Sequence, residues 1–204
     1  MPDRGLKLVA ALVLIVALQQ FMSAGLIHAK AWLAPILVER AWAATLASDG
    51  APHRPWPWAD TWPVAQLSVP KLQVSRHILY GDGGHALAFG PGLDSGLGLP
   101  GEEGVTLVSG HRDTHFAFLR DLRPEMRLVL QRPSGDVHAY RVVDAVTVDS
   151  RWQGLPLLSA PEQLLLVTCY PFDAIRANGP LRRVVRALPI PGTRGTVAQG
   201  SSSS

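Results

Sequence analysis

Hydrophobic and polar positions alternate with a period of two through most of the chain after residue 60, in short segments that Gly or Pro interrupts. Val64–Val69, Val105–Ser109, Arg127–Gln131, Val137–Val148, Gln163–Thr168 and Arg182–Ala187 are rich in Val, Leu and Thr. Side chains on a pleated chain point alternately to its two faces, so each of these segments predicts a strand. Helix is predicted only near Ala86, beside Gly84-His85, with a turn over Phe116–Leu119. Short strands without long alternating helices argue against a doubly wound sheet and for a closed or nearly closed β-barrel.

The N-terminal pattern is different. Between Lys7 and Lys30 the chain is apolar except at Gln19, Gln20, Ser23 and His28. As a helix rising about 1.5 Å per residue, this run reaches roughly the thickness of a bilayer's hydrocarbon core and predicts a membrane-spanning segment. Arg4 and Lys7 precede it, which favours a cytoplasmic N-terminus and an exported remainder. A cleaved signal peptide is the competing reading: Leu8–Leu18 has the length of its apolar region, and Ala29-Lys30-Ala31 fits a small-x-small cleavage site.

The chain therefore divides into a membrane anchor (1–30), a juxtamembrane helix and linker (31–58), a β-domain (59–190) and a flexible tail (191–204) ending in four serines. Trp32, Trp42, Trp56, Trp58 and Trp62 suit either a membrane interface or the capping of the following core.

Composition narrows the function. The 204 residues are 47% hydrophobic and 17% charged, which excludes a disordered protein. The net charge of +3 comes from 19 basic residues scattered along the chain, so no electrostatic footprint for nucleic acid exists. Cys169 is the single cysteine, which excludes an internal disulfide and a cysteine-ligated metal centre.

Cys169 ends the run Leu164-Leu165-Leu166-Val167-Thr168 and is followed by Tyr170-Pro171-Phe172, where proline stops strand pairing. A thiol at a strand end is presented to a cleft by a rigid scaffold, or is an inert buried residue. His111 follows the strand Val105–Ser109 and Gly110, so its imidazole also emerges at a strand end. An imidazole titrating near pH about 6.5 can take a thiol proton and return it to a leaving amine, the two transfers of acyl transfer. Arg182 and Arg183 lie thirteen and fourteen residues beyond Cys169, across a loop that lets the two strands lie side by side. A guanidinium stays charged and suits a tetrahedral oxyanion. Alternation allows only one of the two to face the cleft. His111 and His115 could suggest a metal, as could Glu102-Glu103, but neither pair has a second ligand cluster, and no metal or cofactor is expected.

These blocks resemble the sortases, cysteine transpeptidases of bacterial cell surfaces. The resemblance covers most of residues 60–190. It rests on Thr106–Arg112, on Phe118–Leu122 running into Met126–Leu128, on Leu166–Phe172, and on Pro180–Val185. The Thr-Cys-Tyr-Pro-Phe segment and the apolar N-terminus look most like class GN, found in Gram-negative bacteria, with class D as the nearer Gram-positive relative.

The resemblance implies an all-β fold: a closed eight-stranded barrel with short helices. It makes Cys169 the nucleophile that forms an acyl-thioester, His111 the general acid and base, and Arg182 the oxyanion-binding and substrate-positioning group. Arg182 is chosen over Arg183 because the β-branched pair Val184-Val185 follows at the family's spacing. Thr168, Trp152 and Leu155 become substrate-contacting residues, the last two in the segment between Val148 and Leu164. The implied substrate is a protein with a C-terminal Leu-Pro-x-Thr-Gly-like sorting signal, the acceptor an amine or water, and the location a single-pass inner-membrane protein facing the periplasm. Two alternatives stay open: another exported cysteine acyl-transferase of the cell envelope, and a non-catalytic β-domain that binds peptides. An L,D-transpeptidase is disfavoured because Thr168 directly precedes Cys169, and a papain-like order because His111 precedes Cys169.

Overall fold

The computed structural model of the chain describes residues 2–174, 179–193 and 195–196, with side chains 2–4, 6–7, 10–11, 21–31 and 196 outside that description. Residues 1–37 and 38–204 form two compact units. Helix α1 runs from Pro2 to Ala47. In the first unit Leu8, Val9, Leu12–Val16 and Leu18 are exposed. Among the described residues no helix is long and apolar enough to cross a membrane. The membrane-spanning helix expected between Lys7 and Lys30 is therefore not met by them. In the sequence the apolar run is interrupted by Gln19, Gln20, Ser23 and His28.

The second unit is the predicted barrel. Its elements are β1 (Pro63–Val69), β2 (Val74–Tyr80), α2 (Gly84–Phe89), β3 (Gly92–Leu93), β4 (Gly104–Ser109), β5 (Arg127–Gln131), β6 (Asp136–Asp149), β7 (Glu162–Cys169), β8 (Leu181–Pro189) and β9 (Gly195–Thr196). Hydrogen bonding runs in the order β5-β1-β2-β3-β4-β7-β8-β6-β9, and pairing of β5 with β6 closes the first eight strands into a ring. Closure leaves those strands without free edges. β9 pairs with Asp136 and Val137, so the segment read as a flexible tail carries a short strand at its start; residues 197–204 lie outside the described set.

The six predicted strands appear with their ends shifted by at most two residues. β2 escapes a period-two reading because Ser75, Arg76 and His77 interrupt it. His77 is covered by residues far away in sequence: its Nε2 lies 3.5 Å from Glu39 and its ring 5.8 Å from that of Trp42. Burial holds the His77 imidazole below its ordinary pKa, with Glu39 acting in the opposite direction.

Two apolar layers position the site. Leu67, Ile78, Val108, Leu128, Tyr140, Leu164, Leu166 and Val185 fill the barrel interior. A second cluster, Leu107, Leu165 and Val184 with Val105, Val146, Val148 and Val167 around them, lies on the other face of β4, β6, β7 and β8. β7 is thus buried on both faces, which is why its sequence reads as a continuous apolar run.

Candidate active site

β7 is the centre of the site. Leu164 and Leu166 belong to the interior cluster, Leu165 and Val167 to the outer one. Continuing that alternation turns Thr168 inward and Cys169 outward at the strand end. Cys169 is a free, half-buried thiol.

On one side β7 pairs in parallel with β4, from Gly104↔Glu162 to Ser109↔Val167. The Gly110 N–H still donates to the Val167 carbonyl at 3.0 Å. Carried two residues past the last pair, this register sets His111 beside Cys169. On the other side β7 pairs with β8, and the final partners are Cys169↔Arg182. Directly opposed residues share a face. Cys169 and Arg182 therefore share a face on neighbouring strands, spaced about 4.8 Å apart in such sheets, and His111 follows β4 on the other side of β7, two residues past its last pair.

Local bonds fix this arrangement. Thr168, only 2% exposed, donates its hydroxyl hydrogen to the Gly110 carbonyl at 2.6 Å. Buried and hydrogen-bonded, it ties the Cys169 strand to the segment carrying His111. Gly110 is required at its position: a Cβ there would stand 2.8 Å from the Phe116 ring. Arg112 donates to the carbonyls of Pro171 (2.9 Å) and Ala174 (2.7 Å), binding the loop after Cys169 to the loop after β4. In that loop Tyr170 and Phe172 meet edge to face at 6.1 Å, and the Arg120 guanidinium lies 5.3 Å from the Phe172 ring centre.

The two arginines diverge as alternation demands. Arg183 pairs with Thr168 and Thr147 and reaches the Thr147 hydroxyl at 3.3 Å. Arg182 donates from Nη1 to the carbonyls of Gly179 (2.5 Å) and Leu181 (3.0 Å). Among the described residues its Nε and Nη2 donors have no hydrogen-bond partner.

The neighbourhood of His111 contains a second imidazole. His115 is held below its ordinary pKa first by burial, then by the positive charges of Arg76 and His111 when protonated; a bond to the Ala88 backbone and the Asp113 carboxylate act the other way.

Trp152 and Leu155 lie between β6 and β7 with their side chains exposed, Trp152 at 82%. Sequence reading passed over the residues that hold this segment. Ser150 donates from its N–H and its hydroxyl to the Pro180 carbonyl (3.0 and 2.8 Å). Gln163, almost fully buried, makes two bonds to the Leu158 backbone (2.9 and 3.1 Å). Arg186 donates to the Pro156 carbonyl at 3.2 Å while paired with Asp144. A polar Gln opening an apolar run, and an Arg in step with Arg182 and Val184, were the available signals.

A thiol flanked by an imidazole and a guanidinium has the parts for acyl transfer: nucleophile, proton carrier and oxyanion donor. The Sortase domain family matches residues 67–190. Sortase D of Bacillus subtilis (strain 168) is 32% identical over 120 residues, 58% of this chain and 60% of that relative, so the match spans less than two thirds of it. The solved structure of Sortase A from Corynebacterium diphtheriae has a TM-score of 0.56 at 24% identity, covering 65% of this chain and 63% of that one. The pilus-related Sortase C of Group B Streptococcus has a TM-score of 0.55 at 25% identity, covering 64% and 68%. The chain belongs to the sortase family.

Proposed function

We propose that this chain is a cysteine transpeptidase acting on protein sorting signals of the Leu-Pro-x-Thr-Gly type. The observation that carries this reading is the pairing of Cys169 with Arg182, beside the strand that leads into His111. The Cys169 thiolate attacks the scissile carbonyl carbon, and negative charge moves to the carbonyl oxygen, where the free donors of Arg182 receive it. The carbon–nitrogen bond then breaks. The leaving amine takes the proton from the His111 imidazolium, and an acyl-thioester remains on Cys169. An acceptor amine, or water, attacks the thioester while His111 removes its proton, and Cys169 leaves as the thiolate.

The Thr168–Phe172 block supports assignment to class GN, and the similarity to Sortase D makes class D the neighbouring assignment. The exposed apolar side chains from Leu8 to Leu18 support attachment to the cytoplasmic membrane, and Arg4 and Lys7 before them support placing the barrel on its outer side. Membrane fractionation checks the first point and protease accessibility in intact spheroplasts the second.

The test of the activity uses the full chain and quenched peptides carrying Leu-Pro-x-Thr-Gly variants. The wild-type chain cleaves a subset of them, and Cys169→Ala and His111→Ala do not. Cleavage that survives Cys169→Ala would exclude the mechanism. A folded chain that cleaves none of them would point to a different acyl substrate or to a peptide-binding role.

A further inference from the structure

We propose that Arg186, aimed by Asp144, is a positioning residue that holds the β6–β7 segment over the sheet face carrying Cys169. The inference rests on reading Cys169 as the nucleophile and adds a determinant of how substrate is held there.

The aiming begins with a bulge. β6 and β8 pair in register at Val142↔Ala187 and again at Asp144↔Arg186, with a shift between them. Val142 packs in the barrel interior. Strict alternation would send Asp144, two residues on, to the same interior. The extra residue, Val143, flips it to the outer face, the one that bears Cys169 and Arg182. Bulges of this kind re-aim a side chain beside active sites.

Asp144 then orients the guanidinium opposite it. Arg186 donates from Nε to Asp144 Oδ1 at 2.7 Å and from Nη2 to Oδ2. Two parallel bonds fix the plane of the fork, and the remaining edge points Nη1 at the Pro156 carbonyl, 3.2 Å away. The pair strengthens both charges: the Asp144 pKa is lowered and that of Arg186 raised, in each case mainly by their mutual hydrogen bonds.

The position of this contact matters to substrate. Arg186 is opposite Leu165, and Cys169 lies four residues further along β7. At about 3.3 Å per residue the tether stands roughly 13 Å from the thiol. The floor between them is apolar: Val167, Val184, Val148 and Leu165. Above it the segment is fixed at its start by Ser150 and at its end by Gln163 and Arg186, while Trp152, Leu155 and Leu157 remain exposed. Leu165 and Val184 are already fully covered, so an extended peptide whose carbonyl reaches Cys169 passes the open end of this face and meets the exposed side chains of the segment, and the tether sets where that wall stands. A loosened segment weakens binding and leaves the bond-making groups untouched.

The test compares the full-length wild type with Arg186→Met, which retains an aliphatic stem without the fork, and with Arg186→Lys. Three readouts are taken: hydrogen exchange of the amides in residues 153–158, alkylation of Cys169 by iodoacetamide, and KM and kcat for a cleaved Leu-Pro-x-Thr-Gly peptide. Arg186→Met raises exchange in that segment alone, by about tenfold or more. It raises KM by about tenfold with kcat within about twofold, the pattern of lost uniform binding, and the alkylation rate is unchanged. Arg186→Lys keeps the ion pair without the third contact and falls between, and it decides the matter if the Met variant does not fold. Unchanged exchange, or looser exchange with unchanged KM, overturns the proposal. A fall in kcat together with slower alkylation does so too, because Arg186 would then act on Cys169. A wild type that cleaves no peptide counts against the transpeptidase reading, while the exchange measurement still decides whether Arg186 holds the segment.

Discussion

Arg182 and Arg183 differ by one position, and that position decides their chemistry. Arg182 is the cross-strand partner of Cys169, whereas Arg183 pairs with inward-facing Thr168 and bonds the Thr147 hydroxyl. The sequence limits the choice to one of the two, because alternation sends neighbours to opposite faces. Selecting between them from residues alone needs the β7–β8 register, which depends on where a loop of many residues lets the strands meet. Replacement by lysine keeps the charge and removes the planar fork. Arg182→Lys therefore lowers kcat/KM by about a hundredfold, the cost of losing an oxyanion donor, while Arg183→Lys stays near wild type in the same steady-state assay. The reverse result would transfer the role to Arg183.

At the scale of elements, the site is a junction of two strand ends. β4 delivers His111 and β7 delivers Cys169, and the Thr168 hydroxyl bonded to the Gly110 carbonyl is the pin between them. Thr168→Val removes the donor while keeping the shape. It leaves a buried carbonyl without this partner, at a cost of about 1–3 kcal/mol, visible as a lower midpoint in urea unfolding. It also lowers kcat, because His111 and Cys169 lose their alignment, and Thr168→Ser restores both. An unchanged kcat in Thr168→Val would show that the pin is dispensable for catalysis. The strand that carries this junction was easy to find, since a four-residue apolar run, Leu164–Val167, just before Thr168 and the lone cysteine has few other readings. The pin was not, because a threonine at that position is equally suited to facing a groove. β2 and the β6 bulge were hidden for a related reason: each departs from alternation where a partner distant in sequence covers or redirects one side chain, Glu39 and Trp42 over His77, and Arg186 opposite Asp144.

For the whole molecule, closure of the barrel puts β4, β7 and β8 side by side although β5 and β6 intervene in the chain. Barrel class was legible from alternation and punctuation; strand order was not, since it is set by long-range pairing. The same packing gives the fold a pH dependence. His77 and His115 both bind a proton less readily in the folded chain than free imidazole does, chiefly through burial. The unfolded chain takes up protons near pH about 6.5, before these groups do, so their contribution to stability is complete above that pH and is lost as pH falls through it. Asp144, shifted down by Arg186, contributes stability above the ordinary carboxylate range that is lost at lower pH still. Urea midpoints accordingly decline between about pH 7.5 and 5.5, and His115→Gln flattens part of that decline. A midpoint that rises on acidification over this window would contradict the burial of these imidazoles.

The central claim is that Cys169 forms a covalent acyl intermediate. Intact-mass measurement of the chain quenched in acid during turnover of a Leu-Pro-x-Thr-Gly peptide tests it most directly. The account predicts an adduct equal to the acyl fragment, mapped to Cys169, discharged by an added amine and absent in Cys169→Ala. Cleavage of the peptide with no adduct on Cys169 under conditions that trap thioesters, or an adduct on another residue, would contradict it.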